Sequence, residues 1–520
     1  MFYVPLYIEG LRSRPGLVFW LATLAQAALW LMVPLLFYAA PPSELARLLA
    51  VGHEFPLTAD FGPPLAYWLA EIAFRAAGLF GVYALSQICV IATYWCVFAL
   101  GREIVGPTHA AMAVLLMVGI PVFTVPTPNF GPPNLAMAFW AAVLLFYWQA
   151  AIEGRRRSWY WLGGAAALLL LTSDAALILL GTVAAFTALS ARGRAALRPI
   201  EAWIVLAGLA VVLVVHLFWL KGAGDVLAAT LARLRIAGMA GENTAAWLRL
   251  AGALVLAHAG LAILVVLASG WPRTHADPAP AIARAPVVPS AITFVKVFAL
   301  IPVLLATAVT VLLGQRLPIG GAAPLLVLSG LAVVVAAGEA IALHHERTLG
   351  FAWAGLLVVP AILVPAAIVL LPWTIGTDLA IAQPAAAMGR FFADSFERRT
   401  GHPLAIVSGD TRIAALVALA APSRPEVYFA ADPERSPWVT AQDIREKGAV
   451  VVWPAGPTTP EPPPAIKARF PDLIAEVPQT FARPVRGRLP PLRIGWGMIR
   501  PASAPAAATP TAPAVPASPR

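Results

Sequence analysis

The sequence predicts a polytopic α-helical membrane protein of about 11 spans with a small C-terminal α/β extracytoplasmic domain. Three observations lead there. Of the 520 residues, 60% are hydrophobic and only 12% are charged, with a mean hydropathy of +0.79, outside the range of soluble chains of this length. Apolar runs of about 20 residues recur up to residue 372, each long enough to cross a roughly 30 Å hydrocarbon layer. From 373 to 500 the character changes: charges of both signs appear, and short β-prone runs alternate with helix-like stretches.

In order, the candidate spans are 16–39, 82–101, 109–126, 131–150, 161–173, 175–190, 200–220, 250–270, 297–314, 323–343 and 351–372. The pair on either side of Ser173 and Asp174 is short, so one kinked helix over 161–190 is the alternative. Basic residues set orientation. With the N-terminus inside, the cytosolic segments hold Arg12 and Arg14, Arg102, Arg155 to Arg157, Arg192, Arg194 and Arg198, Arg273, Arg284, Lys296 and Arg347. The alternate loops hold fewer: Arg47, Arg75, Lys221, Arg233, Arg235, Arg249 and Arg316. An N-terminus in the cytosol and an odd span count place residues 373–500 outside, in the periplasm of a bacterium. The net charge of +10 is spread over short loops, which points to lipid headgroups and excludes nucleic acid as partner. Cys89 and Cys96 share one helix face within a span and read as small buried hydrophobes. The first apolar stretch is too long for a cleavable signal peptide.

In the C-terminal region HPLAIVSG (402–409), EVYFA (426–430) and GAVVVW (448–453) read as strands, and 384–399 and 440–447 as helices, a pattern of alternating strand and helix. Residues 501–520 are Pro/Ala-rich and read as a disordered tail.

The chemistry concentrates between the first two spans. The stretch PPSELARLLAVGHEFPLTADFGPPLAYWLAEIAFR (41–75) holds Glu44, Arg47, His53, Glu54, Asp60, Glu71 and Arg75, far more charge than a simple connection needs. SELARLLAVG reads as a short interfacial helix with Ser43 or Pro42 at its cap and Glu44 in its first turn. Leu45, Leu48 and Leu49 would form a face on the membrane surface, and Glu44 is either a helix-cap carboxylate or a site residue. Asp60 is either a turn residue or a second site carboxylate. Asp174 is flanked by long apolar runs, so it is a functional candidate if it lies at depth and a loop residue if its turn reaches the surface. The outside cations Arg47, Lys221, Arg233 and Arg235 are phosphate-binding candidates or interfacial charges that snorkel. Two residues apart, Arg233 and Arg235 cannot both face one site on a helix. FGPPLA (61–66) and FGPPNLA (130–136) share local turn chemistry. His216, His258 and the His344-His345 pair lack metal-ligand spacing, so no metal and no cofactor is indicated.

An acidic position after the first span, a short helix ending at a glycine, and Pro63-Pro64-Leu65 with Trp68 resemble the family 39 glycosyltransferases. These are membrane enzymes of the GT-C type that include protein O-mannosyltransferases, the aminoarabinose transferases of lipid A and rhizobial galacturonosyltransferases. The stretch WLGGAAALLLLTSDAALILL (161–180) is similar to the family's paired short spans around an outside turn. Gly62 stands where His or Lys is common in the family, Ser173-Asp174 where a Lys is usual, and Asn129 where many members have Asp. The resemblance implies a GT-C-like transmembrane domain over 1–372 with a catalytic outside loop at 40–81. It also implies inverting transfer of a sugar from a polyprenyl-phosphate donor to an acceptor hydroxyl on lipid A, lipopolysaccharide, polysaccharide or protein. Glu44 then takes the role of general base with Asp60 in reserve, Arg47, Lys221 and Arg235 hold the donor phosphate, and Pro63, Pro64, Trp68, Asn129 and Asp174 form the substrate loops. The competing readings are an inactive scaffold of the same fold and a transporter or flippase of a lipid-linked substrate.

Overall fold

The computed structural model describes residues 9–56, 62–222, 242–270, 281–313, 323–429, 432, 436–456 and 462–502. The chain forms two compact units, 1–382 and 383–520.

The first unit is a helical bundle. Its elements are α1 (Pro15–Phe37), α2 (Ser43–Gly52), α3 (Leu65–Val105), α4 (Pro107–Met117), α5 (Pro132–Tyr147), α6 (Ser158–Leu170), α7 (Ala176–Leu189), α8 (Ala191–Ala196), α9 (Ile200–Gly222), α10 (Glu242–Ala257) and α11 (Ala259–Ala268). A short strand β1 (Ala281–Ala283), α12 (Pro289–Leu313), α13 (Ser329–Ala336), strand β2 (Ala340–Ala342) and α14 (Glu346–Thr374) complete it. Among the described residues six helices are long and apolar enough to cross a membrane, and the other apolar helices are shorter. The region read as the span 109–126 is one of these: α4 stops at Met117, and a single 3-10 turn follows at Pro121–Phe123. The stretch 161–190 is two helices joined by a turn at 171–175.

The loop reading of 65–81 is corrected. These residues are helical, and α3 begins directly after the proline pair, with Pro64 at its N-cap. Proline resists helix before it but suits a helix start. The charges that suggested a loop are accommodated on the helix, with Glu71 and Arg75 paired one turn apart. Ala77 and Gly78 (φ +61°) break α3, so the apolar part read as the span 82–101 starts just past this kink. The membrane-surface face assigned to α2 is corrected too. Leu45, Leu48 and Leu49 are buried in the protein, because α2 packs on the start of α3. Cys89 and Cys96 are free and buried.

Helices approach closely where side chains are smallest, as expected where dispersion and not water drives association. A Cβ on Gly330 of α13 would lie 2.1 Å from the Ala113 carbonyl oxygen of α4, and one on Gly101 of α3 would lie 2.9 Å from Ala110 Cβ. Gly119 and Gly260 meet backbone to backbone. Larger gaps are filled by aromatics: Phe294 and Phe298 of α12 cluster with Tyr147 and Phe186. At the end of the bundle where α1 starts, Arg155 pairs with Glu103 at 3.0 Å, Arg12 donates to Ala281 O at 3.1 Å, and Arg284 donates to Gly338 O at 2.7 Å.

The second unit is a mixed five-stranded sheet with helices α15 (Ala385–Thr400), α16 (Thr411–Ala420), α17 (Ala441–Lys447) and α18 (Pro464–Arg469). Its strands are β3 (Ile406–Gly409), β4 (Glu426–Phe429), β5 (Ala449–Pro454), β6 (Ile474–Phe481) and β7 (Leu492–Ile499), in the order β4-β3-β5-β7-β6. The first three are parallel, and β7 and β6 close the sheet antiparallel. β6 and β7 escape the sequence reading for a physical reason. Two glycines weaken the β signal of LRIGWGMI, yet packing requires them: a Cβ on Gly495 would meet the Trp453 ring at 2.1 Å and one on Gly497 would meet Leu473. Two of the helices, α16 and α17, carry side-chain N-caps. Asp410 accepts from the N–H groups of Arg412 and Ile413, and Thr440 and Asp443 form a reciprocal capping box on α17.

Two outcomes follow from these contacts. Gly330→Leu should destabilise the bundle by about 1–3 kcal/mol through overpacking, seen as a lower melting temperature of the monodisperse chain in detergent. Gly164→Ala, at a position with nothing within 4 Å, should be neutral. The Thr440 hydroxyl and N–H, with Lys447 beside them, hold the Asp443 carboxyl down at about 2, below its ordinary 3.8. A depressed carboxyl contributes stability above its ordinary value and loses it as pH falls through the depressed one. Protection of α17 against amide exchange, corrected for the intrinsic rate, should therefore decline from about pH 4 toward pH 2, and Asp443→Asn should flatten that decline.

Candidate active site

A cavity of about 440 Å³ opens at the end of the bundle that carries α2. Its polar groups come from three segments: Glu44 and Arg47 from α2, Tyr67 from the start of α3, and Asn129 and Asn134 from the turn into α5. Its walls are apolar, supplied by Val122, Pro126, Phe130 and Met137 among others.

The helix α2 presents its charges because its other face is buried. Pro42 is its N-cap, with no side-chain hydrogen bond there, and Glu44 lies in the first turn, where the helix dipole favours a carboxylate. Arg47, one turn on, places a guanidinium nitrogen 3.8 Å from Glu44 Oε2; their side chains are 51% and 73% exposed, respectively. An exposed pair at this distance contributes little to stability, so both groups remain open to a ligand.

At its far end α2 is clamped to α3. Gly52 lies so close to α3 that a Cβ there would meet the Tyr67 carbonyl oxygen at 2.7 Å. Next to it, the Glu71 side chain is only 1% exposed and holds His53 Nδ1 at 3.1 Å and Arg75 Nε at 2.8 Å through the same oxygen. The Arg75 guanidinium stacks 4.9 Å from the Phe55 ring centroid, and Phe55 has the rare positive φ of +47°. The Trp68 indole N–H donates to Pro56 O at 3.3 Å.

The floor is non-helical backbone between α4 and α5. Ser86 donates its hydroxyl to Thr127 O, Gln87 donates to Thr127 Oγ1 at 3.1 Å, and Asn134 Nδ2 donates to Ser86 Oγ at 2.9 Å. Gln26 of α1 donates to Phe123 O at 2.7 Å and contacts the Tyr94 hydroxyl. The Asn129 side-chain oxygen is buried and makes no hydrogen bond among the described residues, and other atoms of the residue line the cavity.

Glu44, Arg47 and Asn129 thus share one cavity. Pro63 and Pro64 are buried and lead into α3, where Leu65 N donates to Leu171 O at 3.0 Å. That bond ties the proline motif to the α6–α7 turn, the turn that carries Asp174. Asp174 does not line the cavity; its Oδ1 lies 3.3 Å from Nε2 of His216, which is 1% exposed. Lys221 lies at the end of α9. Asp60, Arg233, Arg235 and Arg316 lie outside the described residues. His258 bridges Leu254 O and Ser329 Oγ, a structural tie between helices. No three His, Cys, Asp or Glu side chains converge on a metal position among the described residues.

Sequence reasoning missed Tyr67, Asn134, the Glu71 clamp and the His216 partner of Asp174. Asn134 had a visible signal, since it follows the second proline pair in FGPPNLA. The Glu71 pairing had one as well, in its four-residue spacing to Arg75.

Residues 62–219 match the family model of the dolichyl-phosphate-mannose-protein mannosyltransferases. No curated protein matches the chain. Among solved structures the fold is similar to that of ArnT from Cupriavidus metallidurans. The crystal structure of ArnT bound to undecaprenyl phosphate aligns with a TM-score of 0.50 at 12% identity, covering 93% of this chain and 97% of that one. The apo structure aligns with a TM-score of 0.51 at the same identity and coverage. By sequence over 62–219 and by fold over nearly its whole length, the protein resembles the family 39 membrane glycosyltransferases of the GT-C type, as the motifs of 41–75 indicated.

Proposed function

We propose that the protein is an inverting glycosyltransferase that moves a sugar from a polyprenyl-phosphate donor to an acceptor hydroxyl at the outer face of a bacterial inner membrane. The observation that carries this reading is the cavity in which Glu44 and Arg47, 3.8 Å apart, meet apolar walls at the end of a helical bundle. The ArnT structure holding undecaprenyl phosphate supports a donor of that class. The N-terminus is cytoplasmic in this reading and the C-terminal unit periplasmic, with the cavity outside.

The reaction asks for a base, a cation and an apolar seat. Glu44 takes the proton of the acceptor hydroxyl as its oxygen attacks the anomeric carbon from the face opposite the phosphate. The bond from that carbon to the phosphate oxygen breaks, the electron pair leaves with the phosphate, and the single displacement inverts the centre. The planar guanidinium of Arg47 receives the developing phosphate charge, with Lys221 and Arg235 as further candidates. Tyr67, Asn129 and Asn134 offer hydrogen bonds to sugar hydroxyls, and Val122, Phe130 and Met137 give the first isoprene unit an apolar surface. Pro63, Pro64 and Trp68 belong to the substrate loop, with Asp60 as the reserve carboxylate. Through its contact with His216, Asp174 holds the neighbouring turn in place. The acceptor is a hydroxyl of lipid A, lipopolysaccharide, another polysaccharide or protein.

The test is transfer of labelled sugar from a panel of polyprenyl-phosphate sugars in membranes carrying the chain. Loss of the base in Glu44→Gln should lower the rate about 10²–10⁴-fold with KM little changed. Arg47→Gln should cost about 10²–10³-fold. Transfer at the wild-type rate by Glu44→Gln would remove Glu44 as base. A folded, abundant wild-type chain that uses no donor would reject the glycosyltransferase reading in favour of a scaffold or transporter.

A further inference from the structure

At the end of the bundle away from Glu44, most of the arginines around α6 and α9 are engaged. Arg155 is held by Glu103 and Glu153, Arg192 bonds the Ser290 hydroxyl, and Arg194 donates to Ala188 O at 2.8 Å at the close of α7. Arg156 lies 3.9 Å from Glu201, a loose pair whose guanidinium is 74% exposed. Arg157 and Arg198 are exposed as well, and neither makes a hydrogen bond or ion pair among the described residues.

These two stand at the head of one seam. Arg157 is the N-cap of α6, and Arg198 comes two residues before α9 begins. The indole N–H of Trp203 donates to Leu197 O at 2.9 Å, which holds the Arg198 segment against the start of α9. From there α6 and α9 run side by side in the same direction. Arg156 meets Glu201 at their starts, and farther along a Cβ on Gly163 would lie 2.9 Å from Val205.

That contact fixes the rotation of both helices. A turn of about 100° per residue then places Tyr160 and Gly164 of α6, and Ile204 and Gly208 of α9, on the same side of the seam. Tyr160 and Ile204 are exposed, whereas a Cβ on Gly164 or Gly208 would meet nothing within 4 Å. The surface is therefore a groove that starts beneath the two arginines, passes between Tyr160 and Ile204, and runs on over the glycines.

The charge at its head decides the occupant. The acidic neighbours Glu153 and Glu201 are already ion-paired, so the head is positive and the rest apolar. A second copy of the chain seated on this face by a two-fold axis would bring like arginines together. A molecule with an anionic head and long hydrocarbon chains meets both requirements. We propose that this seam binds an anionic phospholipid of the leaflet on the side away from the cavity. Arg157 and Arg198 take its phosphate, and one acyl chain lies over Gly164 and Gly208. Binding here uses no sugar donor, so it stands or falls independently of the reaction at Glu44.

Native mass spectrometry of the full-length chain in detergent tests this with phosphatidylglycerol and phosphatidylcholine of identical acyl chains, and with glycerol phosphate as a head that lacks chains. Phosphatidylglycerol should bind at least about tenfold more tightly than phosphatidylcholine. The double variant Arg157→Gln, Arg198→Gln alters exposed side chains only and should lose at least about tenfold in affinity for phosphatidylglycerol. Gly164→Leu keeps the charge but fills the groove, and it should weaken that binding too; if this variant is not monodisperse, Gly208→Leu carries the same arm. Arg14→Gln with Arg102→Gln removes equal charge at the same end but off the seam, and should bind as the wild type does. Equal binding of phosphatidylcholine, or an equal loss in the Arg14 and Arg102 control, would overturn the proposal. So would indifference to the filled groove, displacement of the lipid by glycerol phosphate at equal concentration, or a dimer that Gly164→Leu dissociates without changing lipid binding.

Discussion

The cavity depends on one constraint, the need to satisfy irregular backbone inside an apolar bundle. Between Met117 and Pro132 the chain has no α-helix, and in such surroundings each unpaired carbonyl or N–H is costly. The bundle answers with side chains from helices on either side. Ser86 and Gln87 on α3 and Asn134 on α5 converge on Thr127, and Gln26 on α1 takes Phe123 O. Four polar residues thereby fix a turn that is free to carry side chains in directions a helix does not offer. Asn129, Phe130 and Pro126 line the cavity because this turn is held.

The helix α2 completes the arrangement from the opposite side. It is short, and a ten-residue helix has little stability of its own, so its placement must come from packing. Buried leucines, the close contact at Gly52 and the Glu71 clamp provide that packing. Glu71 sits one helical turn past Tyr67 on α3, so the anchor of α2 and a polar wall of the cavity belong to one rigid element. A charge pair set on α2 is then positioned by contacts that never touch a ligand, which leaves Glu44 and Arg47 exposed at no structural cost.

The membrane class and most helices were legible in the sequence because length and hydropathy act locally. The error at 65–81 shows the limit of that logic: Glu71 reads as a solvent charge until its neighbours His53 and Arg75 are known, and only the fold brings His53 there. Glu44, Arg47 and Asn129 stood out as polar residues beside apolar runs. Tyr67 did not, because a tyrosine in an apolar aromatic run gives no sign of facing a cavity. The two proline pairs were read as similar turns, and the structure gives the reason: each ends a non-helical segment and starts a helix, α3 or α5. In the C-terminal unit the parallel strands were found by their continuous apolar runs. The edge hairpin was not, since its glycines and Pro478 serve packing and edge protection at the expense of β propensity.

The turn at 171–175 shows how a departure from a family pattern is absorbed. Where the resemblance expects a lysine, this chain has Ser173 and Asp174, which exchanges a positive charge for a negative one. Left unpaired beside apolar helices, that carboxylate would be expensive. Asp174 instead lies against His216 on α9, while the Ser173 hydroxyl accepts the Ala175 N–H at 3.2 Å. The neighbouring carbonyl of Leu171 still receives Leu65 N, so the turn supports the proline motif through its backbone, whatever side chain it carries. An exchanged charge at this position is therefore accommodated without disturbing the scaffold. In the proposed reaction it leaves the phosphate to Arg47, a guanidinium that lines the cavity itself.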